Sequence, residues 1–122
     1  MTVHASAEDY LEAILSLRMR QGNVRSIDIA NELNYTKPSV SVAMKKLREN
    51  GYIQMEADGS ITLLPGGEEI AQRVYERHRL LTDFFTRLGV DPEVASADAC
   101  KVEHDLSEET FRKIREHFDE MK

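Results

Sequence analysis

Residues 36–63, which read TKPSVSVAMKKLRENGYIQMEADGSITL, decide the fold. Their first half predicts a helix, because Thr36 is a good N-cap and Pro38 falls in the first turn, where its missing N–H costs nothing. An apolar stripe at helical spacing runs through this half, and Gly51 is a typical helix stop. The opposite side carries hydroxyl and lysine side chains. This amphipathic pattern is what a helix reading a DNA groove requires.

The second half of the same stretch predicts a β-hairpin. Residues 52–57 and 60–63 alternate apolar and polar side chains, and Asp58-Gly59 between them is a strong signal for a two-residue turn. A wing of this kind, placed directly after a groove-reading helix, would approach the neighbouring DNA backbone.

Two further helical patterns precede this stretch. Residues 7–20 carry apolar side chains at i, i+3, i+4 and i+7, which predicts a first helix. Ser26 is a good N-cap for a short second helix over residues 27–33, with Ile27, Ala30 and Leu33 facing inward. Helix, helix, turn, helix and hairpin in this order predict a winged helix-turn-helix. Such modules bind DNA or other proteins, and the hydroxyl- and lysine-rich outer face favours DNA.

The charge distribution supports a DNA partner. The 122-residue chain has a formal net charge of −6, which by itself disfavours one. Residues 1–64 contain seven Lys and Arg against eight Asp and Glu, whereas residues 65–122 contain nine against fourteen. Within the first half, residues 35–50 hold four basic side chains against one acidic one, a local net of +3. A local basic face is what contact with phosphates requires.

The second half of the chain, residues 65–122, predicts a helical domain. Pro65-Gly66-Gly67 is predicted to be a hinge-like break before a long helix over residues 68–88. The apolar stripe of that helix consists of Ile70, Val74, Leu81, Phe85 and Leu88. His78 occupies one position of the stripe, where a histidine is more often a hydrogen-bonded core residue than a metal ligand. A short helix and a last helix capped by Ser107 follow.

The apolar surface of these helices predicts a homodimer. A fragment of about 58 residues is marginal alone, and a second copy of the chain is the economical partner. The side chains predicted to form the dimer are Leu80, Phe84, Phe111, Ile114 and Phe118. A two-fold dimer would place two recognition helices roughly 34 Å apart on successive major grooves, which predicts a palindromic target.

Metal-ligating side chains cluster in Cys100-Lys101-Val102-Glu103-His104. If this stretch is helical, its thiol, carboxylate and imidazole lie at i, i+3 and i+4 and project from one face. Those groups are ligands for first-row transition metals. On the first helix, Asp9 and Glu12 also share a face, where they either reach a common ligand or are first-turn acids favoured by the helix dipole. A closed site would need residues from more than one stretch.

The composition is that of an ordinary globular protein, and we expect a cytoplasmic one. Hydrophobic residues make up 41% and charged residues 31%, and no apolar run approaches the roughly eighteen residues of a membrane span. Met1-Thr2-Val3-His4 leads into an acidic amphipathic segment rather than a signal peptide's apolar core. The single cysteine suits a reducing compartment, where a lone thiol stays free to bind a metal. No membrane partner is expected.

Together these features resemble the DtxR/MntR family of metal-dependent transcriptional repressors, which includes the diphtheria toxin repressor and manganese transport regulator types. The resemblance covers essentially the whole chain. It rests on Glu8-Asp9-Tyr10-Leu11-Glu12, Ser39-Val40-Ser41, Glu76-Arg77-His78-Arg79-Leu80-Leu81 and, most specifically, Asp98-Ala99-Cys100-Lys101-Val102-Glu103-His104-Asp105-Leu106-Ser107. The expected fold is mostly α with a small β-hairpin wing: a winged helix-turn-helix DNA-binding domain over residues 1–64 and a helical metal-binding and dimerisation domain over residues 65–122. The resemblance leads us to expect the two-domain form, without the SH3-like third domain of longer members.

The resemblance also implies a set of metal ligands. The implied ligands are Asp9, Glu12, His78, Cys100, Glu103 and His104. The two on the first helix match acidic ligands of manganese-type members, whereas Cys100 stands where manganese-type members usually carry Glu and iron-type members carry Cys. Mn²⁺ and Fe²⁺ are therefore both expected cofactors, with Zn²⁺, Co²⁺ or Cd²⁺ as substitutes. Thr82 stands where the family commonly has an acidic residue, which leaves the number of metals per chain open.

The implied function is a metal-dependent repressor of metal-uptake genes that binds double-stranded DNA as a homodimer. The side chains expected to contact DNA are Ser26, Tyr35, Thr36, Lys37, Pro38, Ser39, Ser41, Lys45 and Lys46. The alternatives are a metal-independent winged-helix regulator and a small metalloenzyme. The sequence has no His-Glu-x-x-His helix, no Gly-rich phosphate loop and no Gly-x-Ser-x-Gly elbow, so we expect neither an enzyme nor a small-molecule substrate.

Overall fold

The computed structural model describes the backbone of residues 5–121 and the side chains of residues 6–120, so Met1-Thr2-Val3-His4 lies outside the described residues. Within that range the helices are α1 (Ala5–Gln21), α2 (Ser26–Leu33), α3 (Lys37–Glu49), α4 (Pro65–Arg87), α5 (Pro92–Val102) and α6 (Glu108–Met121). The antiparallel hairpin consists of β1 (Ile53–Met55) and β2 (Ile61–Leu63). This confirms the predicted fold class. No described helix is both long and apolar enough to cross a membrane.

The chain divides into two compact units, residues 1–73 and residues 74–122. The first unit contains α1 to α3, the hairpin and the start of α4, and the second contains the rest of α4 with α5 and α6. Helix α4 runs through both, and the boundary between Leu64 and Pro65 stays a prediction.

In the first unit, α1 packs against α2, α3 and β2 through the face predicted from its spacing. Leu11, Ile14 and Leu15 on this face are fully buried. The prediction for α2 was wrong in two details. Its N-cap is Arg25, whose N–H donates to Asp28 Oδ2 at 2.9 Å, so Ser26 is the first helical residue. Its inward face is Ile29 and Ala30, whereas Ile27 is exposed.

Helix α3 has the predicted cap and core face. Thr36 Oγ1 accepts a hydrogen bond from the Ser39 N–H at 3.3 Å, and Val40, Met44 and Leu47 are buried. The turn before α3 is made by Asn34, whose positive φ of 59° is a conformation that asparagine tolerates better than most residues. The helix-turn-helix is therefore fixed by local backbone chemistry that the sequence displays.

The hairpin turn differs from the expected two-residue turn. Glu56 N–H donates to Ser60 O, and Gly59 N–H donates to Glu56 O, which closes a three-residue loop over residues 57–59. Gly59 has a φ of +89°, as a type I turn followed by a left-handed residue requires. Asp58-Gly59 marked the place of the turn, but the sequence did not fix its length.

Pro65-Gly66-Gly67 is the first turn of α4 and not a hinge-like break. Proline at the start of a helix lacks only an N–H that would have no partner there. Gly67 is needed for close packing, since a Cβ at this position would lie 2.1 Å from Tyr52 O. Gly67 therefore lets the helix begin directly against the main chain of Tyr52, a role that the flexibility of glycine alone did not suggest.

The second unit has a core of its own. Its buried apolar residues include Leu81, Ala95, Ala99, Phe111 and Phe118. The predicted Ser107 cap is confirmed, because Ser107 Oγ accepts from the Thr110 N–H at 3.1 Å. Leu88, which was expected on the buried stripe of α4, is 61% exposed, because the helix ends at Arg87 and the stripe does not continue beyond it.

Candidate metal centre and DNA-binding surface

In the second unit, Glu103 lies between two histidines. Its Oε2 is 2.9 Å from His78 Nδ1, and its Oε1 is 3.5 Å from His104 Nε2. The Glu103 side chain is 0% exposed, and those of His78 and His104 are 25% and 7% exposed. His78 reaches this position from the middle of α4, and Ser96 Oγ lies 3.3 Å from its Nε2. The predicted ligands His78, Glu103 and His104 therefore meet in one place.

The placement of Cys100, Glu103 and His104 on one face required a continuous helix. The stretch from Cys100 to His104 is not one. Helix α5 ends at Val102, Glu103 is its C-cap, and His104 lies in the turn before α6. Cys100 is exposed on the last turn of α5, whereas Glu103 is buried. The Cys100 Sγ and a Glu103 carboxylate oxygen nevertheless lie within 4.8 Å of each other, so the thiol remains close to the carboxylate.

The Glu103 carboxylate has the character of a metal ligand. Its Oε1 is buried, lies 3.5 Å from His104 Nε2 and has no hydrogen-bond partner among the described residues. Buried carboxylate oxygens are normally satisfied, and an exception calls for an explanation such as an ion. Two imidazoles, a carboxylate and a thiol suit Mn²⁺, Fe²⁺ or Zn²⁺. The residues present therefore fit a divalent transition metal.

On the first unit, Asp9 and Glu12 are half-buried neighbours on α1. The first-turn acid of this helix is Glu8, whose Oε2 forms an ion pair with Arg73 at 2.9 Å. Glu12 lies beyond the first turn, so the helix dipole does not explain it. The pKa of Tyr10 on the same helix is raised, mainly by burial and to a smaller extent by the nearby Tyr35 and Asp9. That Asp9 and Glu12 are metal ligands stays a prediction.

The outer face of α3 and the two residues before this helix, Tyr35 and Thr36, carry most of the side chains predicted to contact DNA. Those that are exposed are Tyr35, Thr36, Lys37, Pro38, Ser39, Ser41, Lys45 and Lys46. Ser26 is half-buried. The Thr36 hydroxyl donates to Ser39 Oγ at 2.8 Å, so the cap also orients a hydroxyl of the outer face. A basic and hydroxyl-rich helix surface of this kind can contact both phosphates and base edges.

Sequence reasoning missed Val42, which is 55% exposed in the middle of this face. An exposed apolar side chain among hydroxyls and lysines can contact a thymine methyl group. The available signal was its position, one residue from Ser41 and three from Lys45 on a helix whose buried stripe is already complete without it.

The tip of the wing is acidic. Ser60 donates both its N–H and its hydroxyl to Asp58 Oδ1, and these bonds lower the pKa of the Asp58 carboxyl, which stays charged and would repel phosphates. Arg25 lies 3.9 Å from Asp58 and is the cation paired with this tip. Asp58 therefore opposes a contact between the tip of the wing and the DNA backbone, and Arg25 favours one.

The side chains predicted to form the dimer fall into two groups. Phe111 and Phe118 are buried within their own chain, with Phe118 edge-to-face on Phe84 at 6.2 Å between ring centroids. Leu80, Phe84 and Ile114 are half-buried. An open groove of about 580 Å³ is lined by Phe84, Glu109, Thr110, Lys113, Ile114 and His117. Only the second group retains apolar surface for a partner chain.

Comparisons with known protein families match both halves of the chain. Residues 2–61 match "Iron dependent repressor, N-terminal DNA binding domain". Residues 65–122 match "Iron dependent repressor, metal binding and dimerisation domain". The two matches leave only Met1 and residues 62–64 uncovered, which are the last two residues of β2 and Leu64.

Among curated proteins, the chain is similar to regulators named MntR. It is 40% identical to the transcriptional regulator MntR of Salmonella typhimurium over 104 residues, which are 85% of this chain and 66% of that protein. It is 37% identical to the HTH-type transcriptional regulator MntR of Lysinibacillus sphaericus over 109 residues, which are 89% of this chain and 78% of that protein. The chain thus spans slightly less than two thirds of the Salmonella regulator.

Solved structures of metal-dependent regulators share the fold. The T. acidophilum IdeR crystal structure has a TM-score of 0.83 and 28% identity, over 98% of this chain and 55% of that one. A manganese-dependent transcriptional repressor in complex with manganese has a TM-score of 0.80 and 27% identity, over 88% of this chain and 50% of that one. The chain spans about half the length of these structures.

Proposed function

This chain belongs to the iron-dependent repressor family, and we propose that it is a transcriptional regulator whose binding to operator DNA depends on Mn²⁺ or Fe²⁺. The observation that carries the proposal is the buried Glu103 carboxylate, which faces His78 and His104 and has one oxygen without a hydrogen bond among the described residues. The basic outer face of α3 supplies the second half of the function.

The proposed ligands are Asp9 and Glu12 from the first unit and His78, Cys100, Glu103 and His104 from the second. A bound divalent cation would supply positive charge that offsets the mutual repulsion of the carboxylates and thiolate. Glu103 is already oriented by its contact with His78, so the protein does not have to reorganise this side chain to offer it. Half-buried imidazoles and a buried carboxylate also keep water away, which strengthens charge interactions.

If the proposed ligands of α1 and those of the second unit bind the same ion, metal binding and DNA binding depend on each other. If the metal-bound arrangement of the two units is the one that fits the operator, metal strengthens DNA binding and DNA strengthens metal binding by the same factor. Such couplings are typically about 1–3 kcal/mol, or roughly 5–150-fold in affinity. The expected product of this coupling is repression when the metal is abundant, and metal-uptake genes are the targets that the family resemblance implies.

The proposed DNA-bound form is a homodimer in the cytoplasm, where chromosomal DNA is accessible to it. The apolar side chains left for a partner chain are Leu80, Phe84 and Ile114, together with the exposed Leu88 and Val94. Two copies of α3 would then meet successive major grooves, and the operator would be a palindrome. The exposed Lys45 and Lys46 would hold phosphates, and the hydroxyls of Ser39 and Ser41 would contact base edges.

Cys100 affects which metal ion the proposed site prefers. A thiolate favours softer ions than a carboxylate does, so its proximity to Glu103 favours Fe²⁺ over Mn²⁺ relative to a site with Glu at that position. The carboxylates of Asp9 and Glu12 on α1 favour Mn²⁺. We therefore include both ions in the proposal, with Zn²⁺, Co²⁺ and Cd²⁺ as substitutes in vitro.

The alternatives have less support. The family and its relatives are transcriptional regulators and not enzymes, so nothing favours the metalloenzyme. A metal-independent regulator would use Glu103, His78 and His104 as a structural ion-pair cluster. Buried ion pairs usually satisfy all their oxygens, whereas Glu103 Oε1 has no hydrogen-bond partner among the described residues.

A DNA-binding titration tests the proposal. Duplexes enriched from a random pool in the presence of Mn²⁺ are titrated with chelator-treated protein, and then with Mn²⁺, Fe²⁺ and Zn²⁺ in parallel. We expect at least fivefold tighter binding with the preferred ion. Equal affinity with and without chelator would support the metal-independent regulator instead.

Two variants of basic residues provide the matched control. Lys45→Ala should weaken DNA binding and reduce the dependence of affinity on salt, while Mn²⁺ affinity stays unchanged. Arg112→Ala removes an exposed basic side chain from α6 that does not line the groove of Phe84 and Ile114, and it should change neither. DNA affinity that falls equally in both variants would place the DNA surface elsewhere.

A further inference from the structure

Arg77 is a buried cation next to the metal centre that sequence reasoning passed over. The residue is 6% exposed. Its Nη1 donates to Glu103 O at 3.0 Å and to Leu106 O at 2.8 Å, and its Nη2 donates to Glu108 Oε1 at 2.9 Å. Its guanidinium carbon lies 5.1 Å from the centroid of the Phe111 ring. One side chain thus joins the end of α5, the turn after it and the start of α6.

The turn that Arg77 holds is the one that carries two proposed ligands. Glu103 is the C-cap of α5, and its carbonyl is beyond the helix's own hydrogen bonds, so the guanidinium replaces a missing partner. A cation at a helix C-terminus is also favoured by the helix dipole. His104 follows immediately, before the Leu106 carbonyl that Arg77 also binds. Both ends of the ligand-bearing segment are therefore fixed to one planar group.

Adjacent residues of α4 hold the same glutamate in two ways. Arg77 binds the main chain of Glu103, and His78 binds its side chain. From this arrangement we propose that Arg77 is a positioning residue of the metal centre, which sets Glu103 and His104 in ligating geometry before a metal arrives. The inference rests on the proposed metal-dependent function and adds a residue to it that binds no metal itself.

The chemistry of the contact requires arginine. Three bonds leave the guanidinium in fixed directions, while its flat face lies near Phe111, and a lysine ammonium cannot reproduce this fork. Arg77 Nε is buried without a hydrogen-bond partner among the described residues. The ion-pair partner of Arg77, Glu108, is 77% exposed, and an ion pair with so exposed a partner adds little stability. Positioning of the turn therefore explains a buried guanidinium here better than the ion pair does.

The test compares Arg77→Met, Arg77→Lys and Glu108→Gln with the wild-type chain. Mn²⁺ affinity is measured by calorimetry, Co²⁺ binding by its visible absorption spectrum, and the order of the 103–107 turn by amide hydrogen exchange of chelator-treated protein. Arg112→Met is the matched control, because Arg112 is exposed on α6. Thermal unfolding of each variant reports whether it is folded.

Loss of an outer-shell partner typically lowers metal affinity 10–100-fold, and we expect this for Arg77→Met with an altered Co²⁺ spectrum and at least tenfold faster exchange in the turn. Arg77→Lys should give an intermediate loss. Glu108→Gln and Arg112→Met should stay within threefold of wild type, since both carbonyl contacts remain. Wild-type Mn²⁺ affinity and exchange in a folded Arg77→Met, or in Arg77→Lys if Arg77→Met does not fold, would overturn the proposal.

The two proposals can fail separately. A wild-type chain that binds neither Mn²⁺ nor Co²⁺ would refute the metal-dependent function. The exchange measurement on metal-free protein would still decide whether Arg77 orders the turn, and unchanged exchange there would refute the positioning role by itself.

Discussion

Glu103→Gln separates a metal ligand from a structural ion pair. The substitution keeps the shape of the side chain and one oxygen to accept from His78, and it removes the negative charge. It also places an amide nitrogen where the wild type has a buried oxygen without a hydrogen bond among the described residues, 3.5 Å from His104 Nε2. An amide there can donate to the imidazole, which a carboxylate cannot do.

The magnitudes differ clearly between the two roles. A buried acceptor without a partner costs about 1–3 kcal/mol, so metal-free Glu103→Gln should be as stable as the wild type or more stable by up to this amount. If Glu103 instead formed a satisfied structural pair with the histidines, the variant should lose about 3–5 kcal/mol. At a hundredfold excess over its dissociation constant, a metal stabilises the wild type by about 2.7 kcal/mol. That corresponds to a rise in Tm on the order of 10 °C.

The assay is thermal unfolding at one fixed protein concentration, with chelator and with increasing Mn²⁺. Wild type should show the metal-induced rise in Tm, and Glu103→Gln should lose nearly all of it. Glu69→Gln, which changes an exposed acid of α4, serves as the control and should behave like wild type. A full Mn²⁺ response in Glu103→Gln, or a large loss of stability without metal, would refute the reasoning.

Three further predictions concern packing, pH and metal choice. Gly67→Ala places a Cβ 2.1 Å from a main-chain carbonyl oxygen and should lower the free energy of unfolding, measured by chemical denaturation, by about 1–3 kcal/mol. The control Gly66→Ala meets only ordinary contacts at 3.7 Å and should not lower it. Equal effects of the two substitutions would show that the close approach is absent. The hydrogen bond from Arg18 lowers the pKa of Glu68 below its ordinary 4.5. Because the pair is exposed, it contributes at most about 1 kcal/mol to the free energy of unfolding. This contribution is present above pH 4.5 and is lost as the pH falls further. The destabilisation caused by Glu68→Gln should therefore shrink below that pH, and a pH-independent difference would contradict the assignment. Cys100→Glu should raise Mn²⁺ affinity relative to Fe²⁺ in competition titrations, and an unchanged ratio would show that the thiol is not a ligand.

Several local signals in the sequence were reliable. Thr36 and Pro38 marked the start of α3 and the apolar spacing of α1 identified its buried face, because caps and periodicity act over a few residues. The local signals at Ser26 and Asp58-Gly59 gave the place of a helix start and of a turn but not their details. The inward face of α2 depended on the neighbours of the helix, and its prediction was wrong for Ile27. Ile27 fits an inward pattern as well as Ile29 does on a helix of only eight residues, and only packing against α1 chooses between them.

The amino-acid order by itself determined a winged helix-turn-helix followed by a helical half, and it placed a thiol, a carboxylate and imidazoles in the second half. Tertiary structure decided how they meet. Helix α5 ends before Glu103, and His78 approaches the Glu103 carboxylate from α4. Arg77 holds the turn through main-chain carbonyls that no sequence pattern marks. Side-chain types are written in the sequence, whereas the burial and the hydrogen bonds of a carboxylate depend on residues far away along the chain that only folding brings beside it.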